Sequence, residues 1–249
     1  MSLSGEVVDI TMPDGVADAY LARPDGDGRH SGVLLLQDAL GLRPQLERTA
    51  DRIAAEGYVV LVPNLYYRNG RAPVVSTEGV DDPAQRGAVM ERIRPVIATV
   101  TAERIVSDGG AYLERLAQDS DGRFAITGYC MGGRLGWLIA VAHPDRVAAL
   151  GAFHSGQLVT DAADSPHLLA GGLAAEVYFG HADNDHSMTP ENIAALEQAL
   201  NAAGVRYRSE VYEGAAHGYS MADTPVYDEA ASERHFSELF ALLKRTVAT

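Results

Sequence analysis

Hydrophobic positions in this chain follow two alternating patterns. Short, nearly continuous apolar runs occur at 31–36, 58–62, 124–127, 147–153 and 175–179. Such runs suit strands covered on both faces, as in a parallel sheet. Between them, apolar residues recur at the helical spacing of i, i+3, i+4 and i+7. Leu46, Ala50, Ile53 and Ala54 share a face within 44–56, and Leu135, Leu138, Ile139 and Ala142 share one within 131–143. Ile193, Leu196 and Leu200 follow Thr189-Pro190, a cap with proline at the first helical position, and Gly204 ends that helix. Residues 101–118 and 226–243 are two further helices, and 89–100 is another, expected to break at Pro95. Residues 6–10 and 18–22 flank Pro13-Asp14-Gly15 and read as an antiparallel edge hairpin, whereas 207–212 alternate as a last strand. Two edge strands followed by strand–helix alternation predict an α/β protein with a doubly wound, mostly parallel sheet of about eight strands and helices on both faces.

Length and charge narrow the picture. The 249 residues fit one domain spanning 1–249, and 47% hydrophobic residues suffice for a sizeable core. A net charge of −14 argues against nucleic acid and against anionic membranes as partners. The single cysteine, Cys130, allows no intramolecular disulfide and fits a reducing compartment, so a cytoplasmic location is expected. The first residues carry neither a basic region nor an apolar run, so no signal peptide is expected. No stretch reaches the ~18 apolar residues of a membrane span.

The most informative stretch is Gly128-Tyr129-Cys130-Met131-Gly132-Gly133, between an apolar run and a helical pattern. A strand that turns straight into a helix holds its apex residue in a strained conformation, with the side chain projecting outward. Glycines beside it let strand and helix approach. Cys130 then sits at a helix N-terminus, where negative charge and hence the thiolate are favoured. This is the nucleophile elbow of α/β-hydrolases, with cysteine in place of serine. A dinucleotide-binding loop is a weak reading, because that motif needs glycine where Cys130 stands. In α/β-hydrolases the order is nucleophile, acid, histidine, which here gives Cys130, then Asp183 or Asp185, then His217. His217 lies in a Gly- and Ala-flanked loop after the last strand, with no packing reason to be there. The other histidines, His154 among them, are read as structural or surface groups. Residues 64–100 and 157–174 are irregular or lie after strand ends and are expected to line the pocket.

Gln37-Asp38-Ala39-Leu40-Gly41 after a buried run, the cysteine elbow, Asn184-Asp185-His186 and Ala216-His217-Gly218-Tyr219 together resemble the dienelactone hydrolase (carboxymethylenebutenolidase) family. The likeness runs from about Val33 to the final helix. It implies an α/β-hydrolase fold, no cofactor and no metal, a small-molecule ester or lactone as partner, and a monomer. It also implies hydrolysis of a lactone or an activated (enol, aryl or thio) ester through an acyl-cysteine, carried by a triad of Cys130, an aspartate and His217. Spacing to the next helix and to His217 favours Asp185 in the family pattern, while distance from Gly180 favours Asp183 in the generic one; Asp185 is preferred. An acidic residue after the third strand contacts the resting nucleophile in this family, and Asp38 falls there. The N–H groups of Ala39 and Met131 are then the oxyanion donors. One departure matters: the family's substrate-gripping arginine, four residues after the histidine, is Met221 here, and a second arginine has Arg92 or Arg94 as counterparts. A neutral or more apolar substrate is therefore expected. Two rival classes are a hydrolase-like protein that binds without catalysis, and a metal hydrolase using His181, Asp183, Asp185 and His186.

Overall fold

A computed structural model describes residues 4–25, 28, 30–82 and 84–247. Residues 1–3, part of the stretch considered as a leader, lie outside it. The chain opens with β1 (Ser4–Met12) and β2 (Gly15–Arg23), paired antiparallel about Gly15, whose φ of 141° favours glycine. Then follow β3 (Ser31–Leu36), α1 (Pro44–Ala54), β4 (Val59–Pro63), α2 (Arg86–Ile97), α3 (Ala102–Leu116), β5 (Asp121–Tyr129) and α4 (Met131–Ala142). The remainder is β6 (Val147–Phe153), β7 (Glu176–Ala182), α5 (Pro190–Ala203), β8 (Tyr207–Tyr212) and α6 (Glu229–Thr246).

The eight strands form one sheet in the order β1-β2-β4-β3-β5-β6-β7-β8. β2 runs antiparallel to both β1 and β4, and every later pairing is parallel. This is the α/β-hydrolase arrangement predicted from the alternation. Successive strand residues face opposite sides. Leu34 and Leu36 enter one core with Trp137, Ile139 and Phe179, whereas Val33 and Leu35 enter the other with Leu46, Phe153 and Leu239. α3, α4 and α5 cover the first face, and α1 and α6 the second. Among the described residues no helix is long and apolar enough to cross a membrane.

Two departures from expectation have a local physical reason. α2 is not broken at Pro95: the ring forgoes its own N–H bond to Glu91, but it lies exposed two residues before the helix ends at Ile97, so almost no helix follows it to be redirected. α6 begins at Glu229 because the Asp228 carboxylate accepts from the Ala231 N–H at 2.9 Å and caps it there. The parallel strands all end on the same side of the sheet, where open α/β sheets bind ligands.

Candidate active site

The β5–α4 turn is as sharp as its glycines allow. Cys130 has φ 55° and ψ −119°, a strained conformation for a residue with a side chain. A Cβ on Gly128 would lie 2.3 Å from the backbone of Gly132, and one on Gly132 would lie 2.5 Å from the Leu36 carbonyl oxygen. Strand, helix and the neighbouring β3 can therefore meet only through glycine. The Cys130 N–H donates to the Phe153 carbonyl at 3.1 Å, fixing the apex against β6. The Cys130 side chain, half-buried, borders a cavity of about 260 Å³ that Asp38, Ala39, His154, His217 and Met221 also line.

His217 reaches this cavity from the loop after β8. Its Nδ1 pairs with Asp185 Oδ2 at 2.6 Å. Asp185 Oδ1 accepts from the Ser187 N–H at 2.8 Å and its hydroxyl at 2.7 Å, so both carboxylate oxygens are occupied. Burial works against charge on Asp185, but the hydrogen bonds from His217 and Ser187 outweigh it and hold its pKa at about 2. Burial also works against charge on His217. Its interactions with Asp185 and with the Cys130 side chain overcome that and push its pKa up to about 10. The imidazole thus stands between a carboxylate and a sulfur.

Of the two aspartates after β7, then, Asp185 meets the imidazole. Asp183 turns away: its carboxylate accepts from the Gly214 N–H at 2.9 Å and braces the two loops together. His181 is buried against Ser209 at 3.2 Å, and its pKa is depressed to about 4 by desolvation. Among the described residues no three His, Cys, Asp or Glu side chains converge as metal ligands would.

Asp38 lies at the cavity wall, but both its oxygens face a guanidinium. Arg43 donates to them at 2.7 and 3.0 Å, and the Leu40 N–H adds a bond of 2.9 Å. The same buried arginine continues to Asp223 at 2.6 and 3.1 Å. Arg43 was absent from the sequence reading, because a charge pair five residues apart forms only if the chain reverses between them. Gly41, with φ 86° and its N–H bonded to the Asp38 carbonyl, supplies that reversal.

The two irregular segments divide. From 64–100, Val80, Arg86 and Met90 line the cavity, so Arg86 stands where Arg92 or Arg94 was sought. Arg92 instead lies exposed against the Ser76 and Glu78 carbonyls, and Arg94 pairs with Glu91 on the surface. Residues 157–174 do not reach the cavity of Cys130: Gln157, Thr160 and Ser165 border a separate depression with Arg134 and Leu138. Left-handed backbone at His154 (φ 37°) and Gln157 (φ 57°) turns that segment aside. His154, set aside as structural, lines the cavity. Its Nε2 pairs with Ser220 Oγ at 2.8 Å, and its ring stands edge-on to that of His217 with centroids 5.3 Å apart. The signal was its place directly after a central strand.

Comparison with known proteins fits this geometry. The model of the Dienelactone hydrolase family matches residues 17–247. A candidate carboxymethylenebutenolidase of Salmonella typhi is 28% identical over 240 residues, covering 93% of this chain and 84% of that protein. The carboxymethylenebutenolidase of Rhodococcus opacus is 27% identical over 203 residues, 80% of this chain and 74% of its own. The crystal structure of a candidate dienelactone hydrolase from Klebsiella pneumoniae superposes with a TM-score of 0.85 at 23% identity, covering 98% of this chain and 100% of that one.

Proposed function

Because this chain belongs to the dienelactone hydrolase family, a family of ester and lactone hydrolases, we propose that it cleaves a lactone or activated ester through an acyl-cysteine on Cys130. The supporting observation is the run Asp185–His217–Cys130, in which Cys130 and His217 line one cavity and the imidazole is held at 2.6 Å from behind by a doubly anchored carboxylate.

The steps follow from those positions. As substrate binds, His217 takes the proton of the Cys130 thiol and pairs with the thiolate that results. The thiolate attacks the carbonyl carbon, a C–S bond forms, and the carbonyl electron pair moves onto oxygen. That oxyanion is received by the N–H groups of Ala39 and of Met131, the first residue of α4, whose first-turn donors have no intrahelical acceptor. Collapse expels the alkoxide or enolate, which takes the proton of His217. Neutral His217 then draws a proton from water, the hydroxide adds to the thioester, and expulsion of the thiolate releases the acid. Thiolate leaves more readily than a poor alkoxide, so enol lactones, aryl esters and thioesters are suitable substrates and amides are poor ones.

Met221 stands on the cavity wall with Leu40, Val80, Met90 and Val226, and although Arg86 also lines it, the Arg86 Nε donates to the Val80 carbonyl at 3.3 Å; this mostly apolar wall favours a neutral acyl group beside the sulfur. The test is a panel of lactones and aryl esters with wild type and Cys130→Ala in parallel. Turnover of a neutral aryl ester should vanish in the variant and after iodoacetamide treatment of the wild type. Activity retained after Cys130 is alkylated would refute the mechanism, and strong preference for dienelactone over the neutral ester would refute the substrate class.

A further inference from the structure

Behind the cavity wall, one buried hydroxyl reaches both segments that carry the oxyanion donors. Tyr66 follows β4 and is 1% exposed. Its hydroxyl donates to the Ala39 carbonyl at 2.9 Å and lies 3.6 Å from the Met131 sulfur. A hydroxyl has one proton, and the carbonyl is the nearer and better acceptor. The next peptide group completes the arrangement. The Ala39 carbonyl and the Leu40 N–H belong to one peptide; the carbonyl accepts from Tyr66 and the N–H donates to Asp38 Oδ1 at 2.9 Å. Asp38 is in turn fixed by Arg43. A peptide plane held at both ends is fixed in orientation, and the adjoining Asp38–Ala39 peptide, which carries the Ala39 N–H, is held at its own carbonyl by the Gly41 N–H at 3.2 Å, so only small rotations about Ala39 remain between them.

Tyr66 is itself anchored. Its N–H donates to Asn64 Oδ1 at 2.9 Å, and the Asn64 amide donates to Asp18 and to the Gly70 carbonyl, both at 2.9 Å. Its ring lies where a Cβ on Gly41 would be 3.4 Å away, so ring and left-handed turn are fitted to one another. Burial, then the negative charges of Asp38 and Cys130, push the phenol's pKa up, which keeps it a neutral donor.

We propose that Tyr66 is a positioning residue: its hydroxyl locks the Ala39–Leu40 peptide and thereby aims the Ala39 N–H at the developing oxyanion. The inference rests on the acyl-cysteine reading above. Losing an oxyanion donor outright costs about 100- to 1000-fold in turnover, and misaiming one costs less, roughly tenfold. In Tyr66→Phe the ring and its packing remain, so the chain folds. We expect kcat on a neutral aryl ester to fall about tenfold with KM nearly unchanged. Inhibition by an aryl trifluoromethyl ketone, whose sulfur adduct places an oxyanion at the same donors, should weaken by the same factor. The rate of iodoacetamide alkylation, which needs no oxyanion, should stay within twofold of wild type. Unchanged kcat overturns the proposal. So does alkylation slowed in step with kcat, which would mean that Tyr66 acts on the sulfur. Should Tyr66→Phe unfold, Tyr66→Leu, which also lacks the hydroxyl, takes its place: unchanged kcat and ketone inhibition there overturn the proposal. Failure of the acyl-cysteine reading is distinct, because the wild type itself would then survive alkylation.

Discussion

Asp185→Asn removes one oxygen atom's charge and leaves the volume in place, so it isolates what the carboxylate does. Asp185 accepts at both oxygens: from His217 Nδ1 on one side, and from the Ser187 N–H and hydroxyl on the other. An amide has one oxygen for these two sides. Keeping that oxygen on Ser187 turns the NH₂ toward His217, which must then present a bare Nδ1 and carry its proton on the nitrogen facing the sulfur. Turning the oxygen to His217 sets the NH₂ against the Ser187 N–H. The rise of the His217 pKa from 6.5 to about 10 corresponds to about 5 kcal/mol at about 1.36 kcal/mol per pH unit. Cys130 shares in that rise, and the His217 side chain is 34% exposed, so solvent screening takes part of it. About 2–3 kcal/mol remains for Asp185, or roughly 100-fold in rate at 1.4 kcal/mol per factor of ten. Steady-state hydrolysis of an aryl ester, with folding checked by circular dichroism, reads this directly. Asp183→Asn, prepared alongside, should retain activity within about threefold, because that carboxylate holds the Gly214 N–H while Asp185 holds His217. A folded Asp185→Asn with near-wild-type turnover, or loss of turnover in Asp183→Asn alone, refutes the reasoning.

Stability should vary with pH in a defined sense. His217, raised to about 10, contributes stability that is fully present below 6.5 and is lost as pH climbs through 10. Asp185, held at about 2, contributes stability present above 3.8 and lost as pH falls through 2. Urea unfolding of wild type and Asp185→Asn should therefore differ most between pH 3.8 and 6.5 and converge at both extremes; a gap that widens toward pH 10 would contradict this. Arg43→Met strands the buried Asp38 carboxylate and should cost about 3–5 kcal/mol of unfolding free energy, and a loss under about 1 kcal/mol would show that Asp38 is solvated or otherwise paired. Gly132→Ala should destabilise by about 1–3 kcal/mol or more and abolish turnover, since its Cβ would meet the Leu36 carbonyl at 2.5 Å; a stable, active variant would mean that the turn is looser than described.

What the sequence made legible was decided by short-range signals. β3 and β4 were readable because a sheet covered on both faces demands unbroken apolar runs, and each of their residues is buried. The elbow was readable because only glycine fits at 128 and 132. His217 could be found because its loop gives it no packing role. The choice between Asp183 and Asp185 rested on a family pattern, since two residues along a loop reverse a side chain's direction without any trace in local composition. Arg43 and Tyr66 were invisible for a related reason. Arg43 meets Asp38 only through the reversal at Gly41, and its other partner, Asp223, is 180 residues away; Ala39, the partner of Tyr66, is 27 residues away. Pro95 misled in the opposite way: a residue that ends helices in a core does little in an exposed last turn.

α2 joins the two themes. Only Val89 and Ile93 of its residues are buried, yet Arg86 and Met90 stand over the cavity. The segment that lines the cavity is thus nearly decoupled from the segment that holds the fold. Exchanging residues along its outer positions offers a route to new substrate preferences, because neither the sheet nor the reactive turn depends on what those positions carry.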